Sequence, residues 1–423
     1  MEKTELLFRQ DVDMQECDSH IIEIIEEENA AEIKKGSGSL IVLDRTVFFP
    51  EGGGQSCDLG FIADAAGSGN QVEITDVFEK EGIVYHRVPS HGALKKGDTV
   101  HCVLDRKRRF DNMQRHCGEH ILSGIFFREY GGVNRGFHMG EDYMTIDISL
   151  EEKPEFTEIT WDMAKHAELC ANEVIWADAP VITRHFDTFE EAAHLPLRKK
   201  LSIQSDITIV CVGDVKNPSD CVACCGTHPK TAGHVGLIKI FRVEKYKGMF
   251  RIFCEAGRRA YLDYEKKHDI VSRLGAKYSA GSDDLEDKIK TQQDKLHTAK
   301  DELYHLKQSV IAQRVTEIEA ALAASDGKSP VVFEYSDMGV DDLLQLGRPL
   351  TDKIKKLLLV IAARENVLLL FSNGKTADCG KLVKENASIY NGKGGGNAAA
   401  ARALFPSREG LDTFIDLLEK HLR

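Results

Sequence analysis

Arg109-Phe-Asp-Asn-Met-Gln-Arg115-His116-Cys117-Gly118-Glu119-His120-Ile-Leu-Ser123 is the stretch around which the chain is organised. Phe110, Met113, Cys117 and Ile121 recur at three- and four-residue steps, the period of one helix face. His116 and His120 then lie one turn apart, about 5–6 Å from each other. That separation lets two imidazoles meet one zinc ion. The same residues also spell His-x-x-Glu-His, the pattern of inverted zinc metallopeptidases, with Glu119 as general base. The peptidase reading requires an acidic third ligand downstream. The downstream stretch is instead Asp220-Cys221-Val-Ala-Cys224-Cys225-Gly226-Thr227-His228. Cys224 and His228 complete a His₃Cys set for tetrahedral zinc. A knuckle using Cys221-x-x-Cys224 is the rival register, and Cys225 is a third neighbouring thiol.

Composition bounds what such a site can serve. The 423 residues are 42% hydrophobic and 29% charged, an ordinary globular balance with room for two to four domains. A net charge of −13 provides no global field for nucleic acid, so any such contact must use local basic patches. One patch is Arg106-Lys107-Arg108-Arg109, followed by Arg115. The N-terminus lacks the basic and apolar regions of a signal peptide. The longest apolar run, Leu357 to Ala363, is too short to span a bilayer. The expected address is the cytoplasm, with no membrane partner, and there the eleven cysteines should be thiols or metal ligands, not disulfides.

The pattern predicts an α+β multidomain chain. Residues 1–104 read as a β-barrel-like module of short alternating runs (Leu40–Leu43, Val84–Val88, Val100–Leu104), preceded by an acidic amphipathic helix over Ser19 to Lys35. Within the module, Thr46-Val-Phe-Phe-Pro-Glu-Gly52-Gly53-Gly54-Gln55 carries a triple glycine that allows positive φ and close approach to a ligand, or simply a wide turn. Residues 105–254 form an α+β zinc domain. Residues 255–328 read as a long helical hairpin whose Leu285, Ile289, Leu296, Ala299, Leu303, Leu306 and Val310 follow a coiled-coil seam. Residues 329–423 form a small α/β domain with a glycine loop at Tyr390 to Asn397. That loop does not fit a P-loop, because Lys393 precedes its glycines.

Together these motifs resemble the editing part of alanyl-tRNA synthetase and its free-standing AlaX-type relatives. The Thr46–Gln55 stretch resembles the family's glycine motif, His116 with His120 and Cys224 with His228 its two zinc motifs, Gly248 to Arg259 its exit into the hairpin, and Asn391 to Gly396 its C-terminal domain, shared with DHH-type phosphoesterases. Cys225 stands where the family has glycine, Cys117 and Glu119 fill the histidine motif, and Asn397 replaces a common arginine. The resemblance implies a zinc-dependent trans-editing hydrolase that removes serine, and in some members glycine, from tRNA-Ala. The chain begins at the β module, so ligase activity is not expected. Zinc would lower the pKa of a water to about 7 or anchor the substrate. Carried over from the resemblance, Thr46 and Gln55 line the amino-acid pocket, Thr46 reading serine's hydroxyl, and Glu119 is an incidental neighbour. Gly52, Gly53 and Gly54 approach the substrate. Arg106, Arg109, Arg115 and Lys393 are expected to hold RNA, and a homodimer through the hairpin or C-terminal domain is the expected assembly. The non-enzymatic alternative is a zinc-stabilised tRNA-binding or oligomerisation module.

Overall fold

A computed structural model of the chain describes residues 2–26, 38–65, 69–201 and 203–421. It divides into two compact units, Met1–Ser272 and Arg273–Arg423. The first unit opens with seven antiparallel strands in the spatial order Gln71–Ile74, Gly60–Asp64, Thr99–Leu104, Glu16–Glu26, Ser39–Leu43, Ile83–Val88, Asp76–Lys80. The sheet curls almost closed: Thr75, between the two edge strands, donates its N–H to Arg87 O at 2.9 Å. Its concave face is filled by Ile21, Ile41, Leu43, Val47, Phe48, Ile62, Val84, Val100 and Leu104. In Thr99–Leu104 buried residues alternate with more exposed ones, as a half-buried strand demands.

One expectation fails here. Ser19 to Glu26 lies in the strand Glu16–Glu26, not in a helix. The remainder of that expected helix, 27–35, lies outside the described residues. The strand slips register between Ile21 and Glu23 against its neighbour. The extra residue of such a bulge breaks the two-residue alternation and gives Ile21, Ile22, Ile24 and Ile25 a helix-like spacing.

A four-stranded antiparallel sheet follows, in the order Gly132–Met139, Met144–Leu150, Met249–Ala256, Ile238–Tyr246. Against it pack the 25-residue helix Arg106–Tyr130 and the helix Trp161–Trp176. The Asp105 side chain caps the first of these by accepting from the N–H groups of Lys107 and Arg108, and Gly131 ends it in the left-handed conformation. Two glycines let this helix sit deep. A Cβ on Gly118 would lie 2.5 Å from Ala256 Cβ, and one on Gly124 would lie 2.1 Å from Ser219 O. The helix is thereby pressed against the chain just before Asp220. A third sheet, Val181–Thr188, Ser205–Val212 and Asp220–Ala223, presents that chain.

Cys211 and Cys221 stand directly opposite in this sheet and are joined as a disulfide. This corrects the expectation that no cysteine would pair, and it takes Cys221 out of the candidate ligand set.

In the second unit, five strands lie in the order Val331–Tyr335, Leu358–Ala362, Val367–Phe371, Ala400–Leu404, Lys393–Gly396. The expected glycine loop is therefore an edge strand. An added Cβ on Gly394 would meet Arg402 O at 2.0 Å, so the strand needs its glycine to pair that closely. The 40-residue helix Leu285–Ala324 buries Ile311, Ile318 and Leu322 in the core of this unit. Its heptad residues Leu296, Leu303 and Leu306 are exposed, so the expected seam is not buried along that stretch. Among the described residues no helix is long and apolar enough to cross a membrane.

Candidate metal centre

The helix Arg106–Tyr130 supplies His116 and His120, and the turn after the strand Asp220–Ala223 supplies Cys224 and His228. One ligand atom from each lies within 4.8 Å of all the others. Cys224 Sγ is 3.4 Å from His116 Nε2 and 3.4 Å from His228 Nε2. A tetrahedron with metal–nitrogen bonds near 2.05 Å and a metal–sulfur bond near 2.3 Å has N···S edges of about 3.5 Å. The donor set therefore fits a metal ion, and its chemistry suits zinc. Cys225 turns away from the set: its Sγ lies against the glycine run, 3.1 Å from where a Cβ on Gly53 would stand. An acidic third ligand, which the peptidase pattern requires, is not part of the cluster.

The far sides of the two helix rings are held, while His228 Nδ1 is buried without a hydrogen-bond partner. His120 Nδ1 lies 3.0 Å from Asp220 Oδ2, and Arg198 Nε donates to Asp220 Oδ1 at 2.5 Å. His116 Nδ1 lies 2.9 Å from Gln55 Oε1, while Gln55 Nε2 donates to Thr227 Oγ1 at 2.8 Å. These partners fix which ring nitrogen faces the metal position. Burial opposes ionisation of the Cys224 thiol, but the surrounding His116, His120 and His228 hold its pKa well below the usual thiol range. Burial also opposes a charged Asp220, and Arg198 and His120 outweigh it, so this carboxyl titrates lower than usual. Gly226 is required by space: a Cβ there would stand 2.3 Å from the His116 ring.

Gln55 thus orients a ligand. Its place is set by a tight turn in which Gly52 and Gln55 exchange backbone hydrogen bonds of 3.1 and 3.0 Å. Gly53 and Gly54 take φ of 61° and 82°, which side chains rarely adopt. We expect Gln55→Ala to weaken metal affinity by about 10–100-fold, checked by competition with a chromogenic chelator.

Other predicted site residues lie elsewhere. Thr46 is fully buried in the first module, with Oγ1 2.8 Å from His86 Nε2 and accepting the N–H of Phe48. It does not line the cavity at the metal centre. Arg109 is not on an RNA-facing surface: it is 3% exposed, pairs with Asp58 and donates to Val47 O at 2.6 Å and Val12 O at 3.0 Å. Arg115 is likewise buried against Glu255, 2.5 Å away. Arg106 is exposed at the helix start. Lys393 lies in the second unit, beside an open cavity of 780 Å³ with Lys307 and Arg402.

His116, His120 and Cys224 open onto a cavity of 560 Å³, within the range of small-ligand sites, while His228 faces a neighbouring cavity. Gly53, Gly54, His116, His120 and Cys224 line the first of these, together with Arg9, Arg135, Lys199 and Lys200. Of this group sequence reading marks only Arg135 as locally basic, because the members are scattered along the chain from Arg9 to Lys200 and no spacing links them. Glu119 also lines the cavity and is 5% exposed.

Residues 2–108 match the family model for class II (A) tRNA synthetases, and residues 207–253 match the second additional domain of threonyl and alanyl tRNA synthetases. The two matches enclose the site helix between them. The chain is 28% identical over 431 residues to alanyl-tRNA editing protein AlaX-L of Pyrococcus horikoshii, covering 99% of both chains. It is 28% identical to the alanine–tRNA ligase of Methanoregula boonei and 29% identical to that of Methanothrix thermoacetophila, and spans only 40% and 44% of their lengths. The metal cluster, the glycine turn that orients it and a similarity running from end to end give one result: the chain is a full-length homologue of the AlaX-L alanyl-tRNA editing protein.

Proposed function

We propose that the chain is a trans-editing hydrolase that cleaves the ester joining a wrong amino acid, serine or glycine, to the 3′ adenosine of tRNA-Ala. The observation that carries this reading is the His116–His120–Cys224–His228 cluster, three of whose members open onto a cavity that basic side chains also line, in a homologue of an editing protein. Zinc is the metal that the three imidazoles and one thiolate suit best. When bound, it supplies Lewis acidity and a fixed positive charge for the ester.

The chain's own residues do the rest. Asp220 and Gln55 hold the two helix histidines in one tautomer each. Phe137, stacked on His116 with ring centroids 5.5 Å apart, covers one side of the site against water. Gly53 and Gly54 let this wall of the cavity pack directly against Cys225 and Phe137. Arg9, Arg135, Lys199 and Lys200 meet the phosphates of the acceptor end, where basic side chains position nucleic acid without reading its sequence. This role passes to them from Arg109 and Arg115. Selection of serine over alanine rests on polar groups of the cavity, since a buried hydroxyl partner discriminates far better than size.

The test is release of amino acid from Ser-, Gly- and Ala-charged tRNA-Ala. Serine or glycine should leave much faster than alanine, and the rate at low substrate should fall steeply with salt. Release of none would favour the binding-module alternative, and equal release of all three would remove the selectivity for serine and glycine. In a Lys199→Ala/Lys200→Ala double variant the salt slope should become shallower, by about one for each phosphate that the variant no longer neutralises.

A further inference from the structure

Two acidic groups outside the ligand set line the cavity: Asp206, exposed and paired with Arg9 and His185, and Glu119, buried beside His120. Glu119 stands between the ligand histidines in the same helix, with Oε1 accepting from Ser123 Oγ at 2.6 Å and from Asn134 Nδ2 at 2.5 Å. Asn134 Nδ2 also lies 2.9 Å from Ser123 Oγ, so the two donors brace each other. The carboxylate is thus fixed through one oxygen. The other, Oε2, lies 3.9 Å from His120 Nε2, beside the metal position. The nearby Arg198 gives its Nε and Nη2 to Asp220, at 2.5 and 3.3 Å, and its buried Nη1 has no hydrogen-bond partner.

The charge pattern of the cavity is therefore ordered. Lys199 and Lys200 supply positive charge, Arg9 and Arg135 are paired with Asp206 and Glu151, and a braced carboxylate stands beside His120. The 3′ end of a charged tRNA carries the complementary pattern. Its phosphates are anionic, and its single cation is the α-ammonium of the esterified amino acid, a few bonds from the ester that must reach the metal. A carboxylate at that depth pairs with an ammonium through charge-assisted hydrogen bonds, about twice as strong as neutral ones.

We propose that Glu119 is the receptor for the α-ammonium group of the esterified amino acid. The inference rests on the deacylase reading above. It makes Glu119 a substrate-positioning residue with a class-level selectivity: free aminoacyl esters are accepted, and esters whose nitrogen is acylated are refused. Because every amino acid carries this group, Glu119 sets the register of the ester on the metal and takes no part in telling serine from alanine.

The probes are seryl-3′-amino-3′-deoxyadenosine, an amide that resists ester hydrolysis, and its N-acetyl form. Binding is measured by calorimetry on the full chain with zinc, alongside zinc content. The wild-type chain should bind the free amine roughly 10- to 100-fold more tightly than the N-acetyl form, the range of a hydrogen bond to a charged group. Glu119→Gln keeps the shape and an oxygen for Ser123 and Asn134, and should abolish that ratio while retaining one zinc per chain. Ser123→Ala, which loosens the brace and keeps the charge, should narrow the ratio in part. A Glu119→Gln chain that keeps the preference overturns the inference, and so does one that loses it together with its zinc. Equal wild-type affinity for the two probes overturns it and leaves the deacylase reading standing. Wild-type binding of neither probe overturns both.

Discussion

Cys224→Ala is expected to empty the metal centre and to slow release of serine from tRNA-Ala by at least about 100-fold, more than the loss of an orienting partner brings. The thiolate is the only anion in the ligand set, 3.4 Å from both His116 Nε2 and His228 Nε2, and it accepts the Gly226 N–H at 3.4 Å. Without it three imidazoles and no anion remain, a weaker set for zinc. The chain should stay folded, because the cores around the site are built from apolar side chains of three sheets and two helices. Zinc per chain by elemental analysis and far-UV circular dichroism separate the two effects. Cys225→Ser is the control and should keep both zinc and activity. A Cys224→Ala chain with full zinc would place the ligand at Cys225 instead.

Arg109→Met is expected to destabilise the first unit by about 3–5 kcal/mol, since it leaves Asp58 as an uncompensated buried charge. The pair has side-chain exposures of 4% and 0%. Asp58 also accepts the Phe49 N–H at 2.7 Å, and Arg109 reaches two backbone carbonyls. This one side chain clamps the Thr46–Asp58 stretch, and with it Gln55, to the helix that carries His116. The measurement is urea unfolding, with the midpoint falling at unchanged slope. The affinity of the folded protein for tRNA should not change. A loss of tRNA affinity at unchanged stability would restore Arg109 to the RNA surface.

The contrast between Arg109 and Lys199 shows how far sequence reading carries. The metal helix was legible because helical period and ligand spacing state the same thing, and because Cys224 and His228 repeat the chemistry downstream. Side-chain type does not say whether an arginine faces RNA or a buried carboxylate. That depends on where Asp58 and Glu255 fall, 51 and 140 residues away. Thr46 shows the same limit, since its hydroxyl is taken by His86, 40 residues on. Burial lowers the His86 pKa to about 4, so the ring stays neutral and available to that hydroxyl at neutral pH. The bulge near Ile21 disguised a strand as a helix. The run at Lys393–Gly396 has no side chains on its glycines to show alternation, so its pairing was unreadable. Cross-strand register, which joins Cys211 to Cys221, is likewise a product of the folded sheet.

The central claim is that His116, His120, Cys224 and His228 hold one zinc on which deacylation depends. It is tested most directly by stripping the metal with a chelator, removing the chelator, and adding zinc back in fractions of an equivalent while following serine release from tRNA-Ala. The stripped, still folded chain should release nothing, and activity should recover linearly with a break at one zinc per chain. Full activity of the metal-free chain, or recovery without a break at one equivalent, would contradict the claim.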